Sequence, residues 1–245
     1  MVISIMIRVS LALLLSLYLS VQGYRKKSLN KSGAIAAFFV GLTSFSVSYR
    51  FGILLISFYY SSSKLTKVKS GVKKKLEADF KESGQRDYVQ VLSNSVLATL
   101  LALTFYFVYG EDNFAIDFKS SNALQSQLLC AYITHYAVAN GDTWASELGI
   151  LSTKKPRLIT SLFLKEVPPG TNGGVSLLGT VASLTGGIFI ALTYYIISFV
   201  MIRLGYIAST SAQWPVFVLG AWSGLVGSLV DSLLGATLQG TISLS

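Results

Sequence analysis

Apolar positions in this chain come in long blocks separated by short polar stretches, with neither the strict alternation of strands nor the narrow stripe of surface helices. Val2 to Gln22, Val89 to Tyr109, Ala123 to Asn140, Gly174 to Ile202 and Trp214 to Leu238 are each predominantly apolar. About 20 such residues cross a bilayer as one helix. A further block, Gly33 to Tyr60, is too long for one upright helix and short for two, and Arg50 falls near its middle without a local partner. A tight hairpin turning at Arg50 reconciles these features. The pattern predicts an all-α polytopic integral membrane protein of about six to seven transmembrane helices, forming a single domain over residues 1–245.

Composition agrees, since 52% of residues are hydrophobic and 13% charged, against about a quarter charged in soluble domains. One Cys and one His offer neither an internal disulfide nor the ligand set that tetrahedral zinc wants. The net charge of +9 would suit nucleic acid, but its distribution points to topology. Sixteen of the 20 Lys and Arg lie in the stretches 24–32, 62–88 and 141–173, the bias expected of cytoplasmic loops. This places the N-terminus outside and makes 62–88 a basic cytoplasmic loop. Arg8 followed by "VSLALLLSLYLSV" has the layout of a signal peptide but lacks a clear small-x-small site, so a retained membrane helix is expected.

Polar residues inside or beside the apolar blocks carry the candidate chemistry. Arg86, Gln90 and Asn94 are spaced i, i+4, i+8; on a helix they would form one polar face running into the bilayer. In "GDTWASELG", Asp142 and Ser146 would share a helical face, with Glu147 about 140° round from Asp142. Gly141 and Gly149 permit a break or a close approach. Carboxylates at a membrane edge suit a hard cation such as magnesium; the alternative is an Asp142 helix cap with Glu147 exposed. In "KKPRLITSLFLKEVPPGTNGGVS", Lys154, Lys155, Arg157 and Lys165 supply positive charge. The glycine-rich turn Thr171, Asn172, Gly173, Gly174 leads into an apolar helix, which makes either an anion site or a plain interhelical turn. No GxxxxGK[ST] motif occurs. In the last block Gly220, Gly224, Gly227, Asp231 and Gly235 fall on one helical face. Small residues let helices approach, and an intramembrane Asp is either a functional group or a protonated, hydrogen-bonded structural one.

At these residues the chain resembles the transmembrane protein 19 family, within domain-of-unknown-function family 92. The resemblance rests on "GDTWASELG", "KPRLIT", "VPPGTNGGVS" and "GLVGSLVDSLLGATLQ" and extends back through "KKSLNKSGAIAAFFVG", "SSSKLT" and "GQRDYVQVLSNS". That family includes the plant phytyl-phosphate kinase of tocopherol synthesis, so the resemblance implies an isoprenoid-phosphate kinase activity with a nucleoside triphosphate donor. Family members continue past the small-residue helix into a basic loop and a further membrane helix, whereas this sequence stops at Ser245, which is expected of either a shortened product or a family member in which those residues are dispensable.

Combined, residues and resemblance give a leading expectation. Magnesium would be held by Asp142, Glu147 and Asp231, which also orient the acceptor. Nucleotide phosphates would lie on Lys154, Lys155 and Arg157, and the transferring group on Thr171, Asn172, Gly173 and Gly174. The expected partners are a membrane lipid or isoprenoid phosphate and a nucleoside triphosphate, with no nucleic acid, in an endomembrane. Two rivals are a carrier that uses Asp231 and the Arg86, Gln90, Asn94 stripe as a polar pathway, and a non-catalytic membrane protein. Nothing in the sequence speaks to oligomeric state.

Overall fold

The structure, a computed structural model, describes residues 2–68, 85–119, 123–161, 165–209 and 211–239. Much of the expected basic loop 62–88 lies outside these residues. Within them the chain is almost wholly helical: α1 (Val2–Arg25), α2 (Lys31–Val47), α3 (Tyr49–Lys67), α4 (Tyr88–Ser93), α5 (Val96–Tyr109), α6 (Ala123–Gly149), α7 (Leu177–Arg203) and α8 (Pro215–Leu238). A two-residue pair, β1 (Arg157–Leu158) with β2 (Gly174–Val175), ties down the loop between α6 and α7.

The expected hairpin is present, and its turn is a single residue. Ser48 is extended, and its hydroxyl accepts from the Arg50 N–H at 3.0 Å, which ends α2 and caps α3. Both helices return to the same end of the bundle, where Lys67 Nζ donates to the Lys26 carbonyl at 3.4 Å. The expected unbroken helix from Val89 to Tyr109 is instead two pieces. α4 starts with Asp87 accepting from the Gln90 N–H at 3.0 Å and stops at Ser93, before α5 begins at Val96. Ser95 and Asn94 bond back to the carbonyls of Val91 and Gln90, the local competition by which such side chains interrupt helices. Arg86 lies before α4 in extended backbone paired with Leu29, so Arg86, Gln90 and Asn94 do not share one helical face.

The long helices run alternately between a basic end, which holds Lys26, Lys67 and Lys154, and an opposite end. α6 is antiparallel to α7, α7 is antiparallel to α8, and α6 lies parallel to α3 and α8. Small residues set these distances. A Cβ placed on Gly187 would stand 2.0 Å from the Gly220 carbonyl oxygen, so two backbones nearly touch, as in other small-residue membrane seams. Gly187→Ala is therefore expected to push α7 from α8 and cost about 1–3 kcal/mol, seen as a lower unfolding midpoint in detergent. An unchanged midpoint would show that the seam gives way freely.

The core is aromatic. Phe51 stacks on Tyr132 with ring centroids 4.1 Å apart, and Phe105, Tyr136 and Phe58 extend the cluster. Polarity is inverted relative to a soluble domain. Arg50 and Asn140 are fully buried at 0% exposure, while Phe107 is 79% and Trp222 67% exposed. An apolar exterior of this kind is matched by lipid rather than water. Among the described residues three helices are long and apolar enough to cross a membrane, ending at Arg25, Arg203 and Leu238, and α2 and α5 are shorter apolar helices.

At the end opposite the basic one, Arg50 finds the partner that local sequence denies it. Its Nε donates to Asp112 at 2.7 Å and its NH2 group pairs with the same carboxylate. Further donations reach the Tyr194 hydroxyl at 2.8 Å and the Phe114 carbonyl at 2.8 Å.

Candidate functional site

At the basic end a cleft of about 1140 Å³, counting its open mouth, lies beneath the α6–α7 loop. Its floor comes from three helices. α6 contributes Asp142 and Ser146, α7 Ser176, Thr180 and Ser183, and α8 Ser228, Asp231 and Ser232. α6 runs unbroken through Gly141, because that glycine packs on Gly224 and the Ser183 carbonyl. Asp142 is thereby carried to the cleft, and Glu147, more than a quarter turn further round, points elsewhere.

The roof is the loop. Lys154, Thr171, Asn172, Gly173 and Gly174 all line the cleft. Gly173 has φ +79, and a Cβ there would stand 2.3 Å from the Ala236 Cβ. Glycine thus serves two needs at once, a left-handed turn and a close approach to α8. β1 and β2 hold the two ends of the loop together, with Arg157 opposite Val175. Directly after β2, Ser176 caps α7 by accepting from the Gly179 N–H at 3.1 Å. The positive end of a 27-residue helix therefore opens on the cleft, and such ends attract phosphates.

Of the residues expected from sequence, the structure brings Asp142, Asp231, Lys154, Thr171, Asn172, Gly173 and Gly174 to one cavity. Glu147, Lys155 and Arg157 lie outside its lining. Glu147 accepts from the Thr66 hydroxyl at 2.6 Å. It also faces Arg86, whose guanidinium is pulled below its ordinary pKa by burial and raised again by Tyr59 and Glu147. Glu147 therefore joins α6 to α3 at the basic end. The hydroxyls missed in the sequence are Ser228, which donates to Asp142 at 3.1 Å, and the Ser176, Thr180, Ser183 series. Their i, i+4, i+7 spacing on α7 was a legible signal of a polar face.

Asp142 and Asp231 also border a second space. A groove between α5, α6 and α8 is walled by Leu97, Leu101, Ala131, Val138 and Ala139, with His135, Thr134 and Asn94 as scattered polar groups. Both carboxylates line this groove as well as the cleft. They sit at a junction between a hydroxyl-rich cavity and an apolar channel on the flank of the bundle.

The two carboxylates lie close enough for their charges to act on one another. Among the described residues neither has a Lys or Arg within ion-pairing distance, and no three Asp, Glu, His or Cys converge as a metal cage. Two carboxylates with neighbouring hydroxyls still fit magnesium, which takes one or two protein carboxylates and fills its shell with water and substrate phosphate oxygens.

The family described as integral membrane protein DUF92 matches residues 14–244. The chain belongs to that family. Protein PGR of Arabidopsis thaliana is 43% identical over 234 residues, which cover 95% of this chain and 79% of that protein. An uncharacterized membrane protein of Methanocaldococcus jannaschii is 29% identical over 235 residues, covering 96% of this chain and 84% of its own. Protein VTE6, chloroplastic, of Arabidopsis thaliana is 28% identical over 212 residues, covering 86% of this chain and 56% of its own. No solved structure matches this DUF92 chain.

Proposed function

We propose that this integral membrane protein is a phosphotransferase that moves the terminal phosphoryl group of a nucleoside triphosphate to an isoprenoid phosphate. The observation that carries the reading is the placement of Asp142 and Asp231 on both the polar cleft and the apolar groove. An amphiphile with an anionic head and a hydrocarbon tail needs such a junction. The tail lies between α5, α6 and α8, and the head reaches the carboxylates and hydroxyls. The nucleotide enters from the basic end, taken here as cytoplasmic, with the protein in an endomembrane.

Within the cleft, Lys154 and the loop from Thr171 to Gly174 hold the triphosphate, helped by the α7 N-terminus. Asp142 and Asp231 would hold magnesium, which neutralises charge between phosphate oxygens when bound. The remaining work is positioning. An acceptor phosphate is already ionised near neutral pH, so no side chain has to remove a proton. Ser228 fixes the Asp142 carboxylate, and the loop over the cleft keeps bulk water from competing with the acceptor.

The direct test is transfer of label from the terminal phosphate of CTP, GTP or ATP to phytyl, farnesyl or geranylgeranyl monophosphate by purified protein with magnesium. Label in a prenyl diphosphate supports the reading, and no label from any pair overturns it for this chain. Within an active preparation, Lys154→Ala is expected to raise the nucleotide KM about ten-fold while kcat stays within a few-fold, the signature of lost ground-state binding. Lys155→Ala, outside the cleft, is expected to change KM less than two-fold; equal effects would remove Lys154 from its assigned place.

A further inference from the structure

A third cavity lies away from the cleft, bordered by α1, α2, α3 and α4, and spans about 710 Å³ counting the open space at its mouth. Its walls are apolar, chiefly Leu19, Val40, Phe45, Leu55 and Phe58. Along α2 it runs from Ala37 to Phe45, about 12 Å at 1.5 Å per residue. One feature sets it apart from a packing gap. At the mouth stand Arg86, Gln90 and Asn94, the three polar residues that stood out in the sequence.

Arg86 is built into this mouth rather than draped over it. Its N–H donates to the Ser28 carbonyl at 3.0 Å and its carbonyl accepts from the Asn30 N–H at 3.1 Å. The guanidinium lies over the Tyr59 ring, 6.0 Å from the centroid, and donates to Ser63 at 3.1 Å. A fixed cation at the opening of an apolar slot, its charge shared with Glu147, is complementary to a negative head on a hydrocarbon chain.

We infer that the cavity between α1, α2, α3 and α4 is a binding site for an anionic amphiphile, with the head on Arg86, Gln90 and Asn94 and the chain running toward Ser16. The site is separate from the Asp142 and Asp231 cleft and does not depend on the transfer reaction assigned there. Either a phosphate or a carboxylate head satisfies the guanidinium.

Equilibrium binding of radiolabelled oleoyl lysophosphatidic acid and of oleate to the purified protein in detergent tests it, with monoolein as the uncharged probe and inorganic phosphate as the anion without a chain. Saturable binding of one or both anionic probes is expected, at least about ten-fold tighter than monoolein, with no binding of inorganic phosphate. Tighter binding of lysophosphatidic acid would assign the head as a phosphate, and tighter binding of oleate as a carboxylate. Arg86→Gln is expected to weaken binding about ten-fold. Ala37→Phe and Val91→Phe, which fill the slot from two different helices, are expected to abolish it. Each variant is compared at matched elution profile and unfolding midpoint, so loss of fold in one leaves the others to decide. Absence of saturable binding, monoolein binding as tightly as the anions, or wild-type affinity in folded Arg86→Gln, Ala37→Phe or Val91→Phe would overturn the assignment.

Discussion

Asp142→Asn and Asp231→Asn are each expected to reduce phosphoryl transfer by about 10²-fold or more, the scale on which single charge-stabilising groups act in a dry site. The physical reason is the junction. These are the two carboxylates that touch both the polar cleft and the apolar groove, and amides of the same shape would neither hold magnesium well nor relieve the triphosphate's charge. Asparagine keeps the volume and a hydrogen-bond acceptor for Ser228, so the fold should survive, and the like-charge repulsion between the pair is removed. Stability is therefore expected to be unchanged or slightly higher. Activity and unfolding midpoint moving in opposite directions would be the signature of a functional pair. Glu147→Gln provides the contrast. Its carboxylate bonds Thr66 and lies outside the cleft, so it should cost less than ten-fold. Full activity in Asp142→Asn or Asp231→Asn would remove that residue from the chemistry.

Much of this junction was legible residue by residue, and its assembly was not. Asp142, Asp231 and the turn Thr171 to Gly174 stand out because charge and glycine are rare within apolar blocks. Nothing in their spacing says that α6 and α8 run parallel with α7 antiparallel between their seams. The contacts that decide this are backbone approaches at Gly141, Gly187, Gly220 and Gly224, and the sequence marked Gly141 and the α8 glycines but not Gly187. The geometry of a straight helix did anticipate that Asp142 and Glu147 diverge. The Arg86, Gln90, Asn94 stripe is the opposite case. Its helical spacing was misleading, because Asp87 starts a new helix after Arg86 and the Asn94, Ser95 pair ends it. The three side chains still meet, at the mouth of a cavity rather than along a helix. Asp112 was invisible, since one of three loop carboxylates, Glu111, Asp112 and Asp117, carries no periodic signal and its partner lies across the bundle.

That partner gives the largest expected effect on stability. Replacing Arg50 by Leu leaves the Asp112 carboxylate buried with its Ser48 hydrogen bond at 2.5 Å and no compensating charge, which costs about 3–5 kcal/mol. Asp112→Leu is expected to cost a similar amount by stranding the guanidinium, fully buried, on Tyr194, Ser198 and the Phe114 carbonyl alone. The double variant Arg50→Leu, Asp112→Leu should lie well above either single variant, because two apolar side chains need no partner and a buried pair is nearly balanced against its own desolvation. The readout is the unfolding midpoint in detergent for the four forms, whose cycle isolates the coupling. Single variants as stable as the wild type would show that water or lipid headgroups reach this end of the bundle and solvate the stranded charge. The coupling also bears on how the chain folds. The hairpin of α2 and α3 turns on Ser48, which bonds the same carboxylate. Docking of the loop after α5 therefore fixes the hairpin's depth, and α3 then sets the aromatic core against which α6 delivers Asp142.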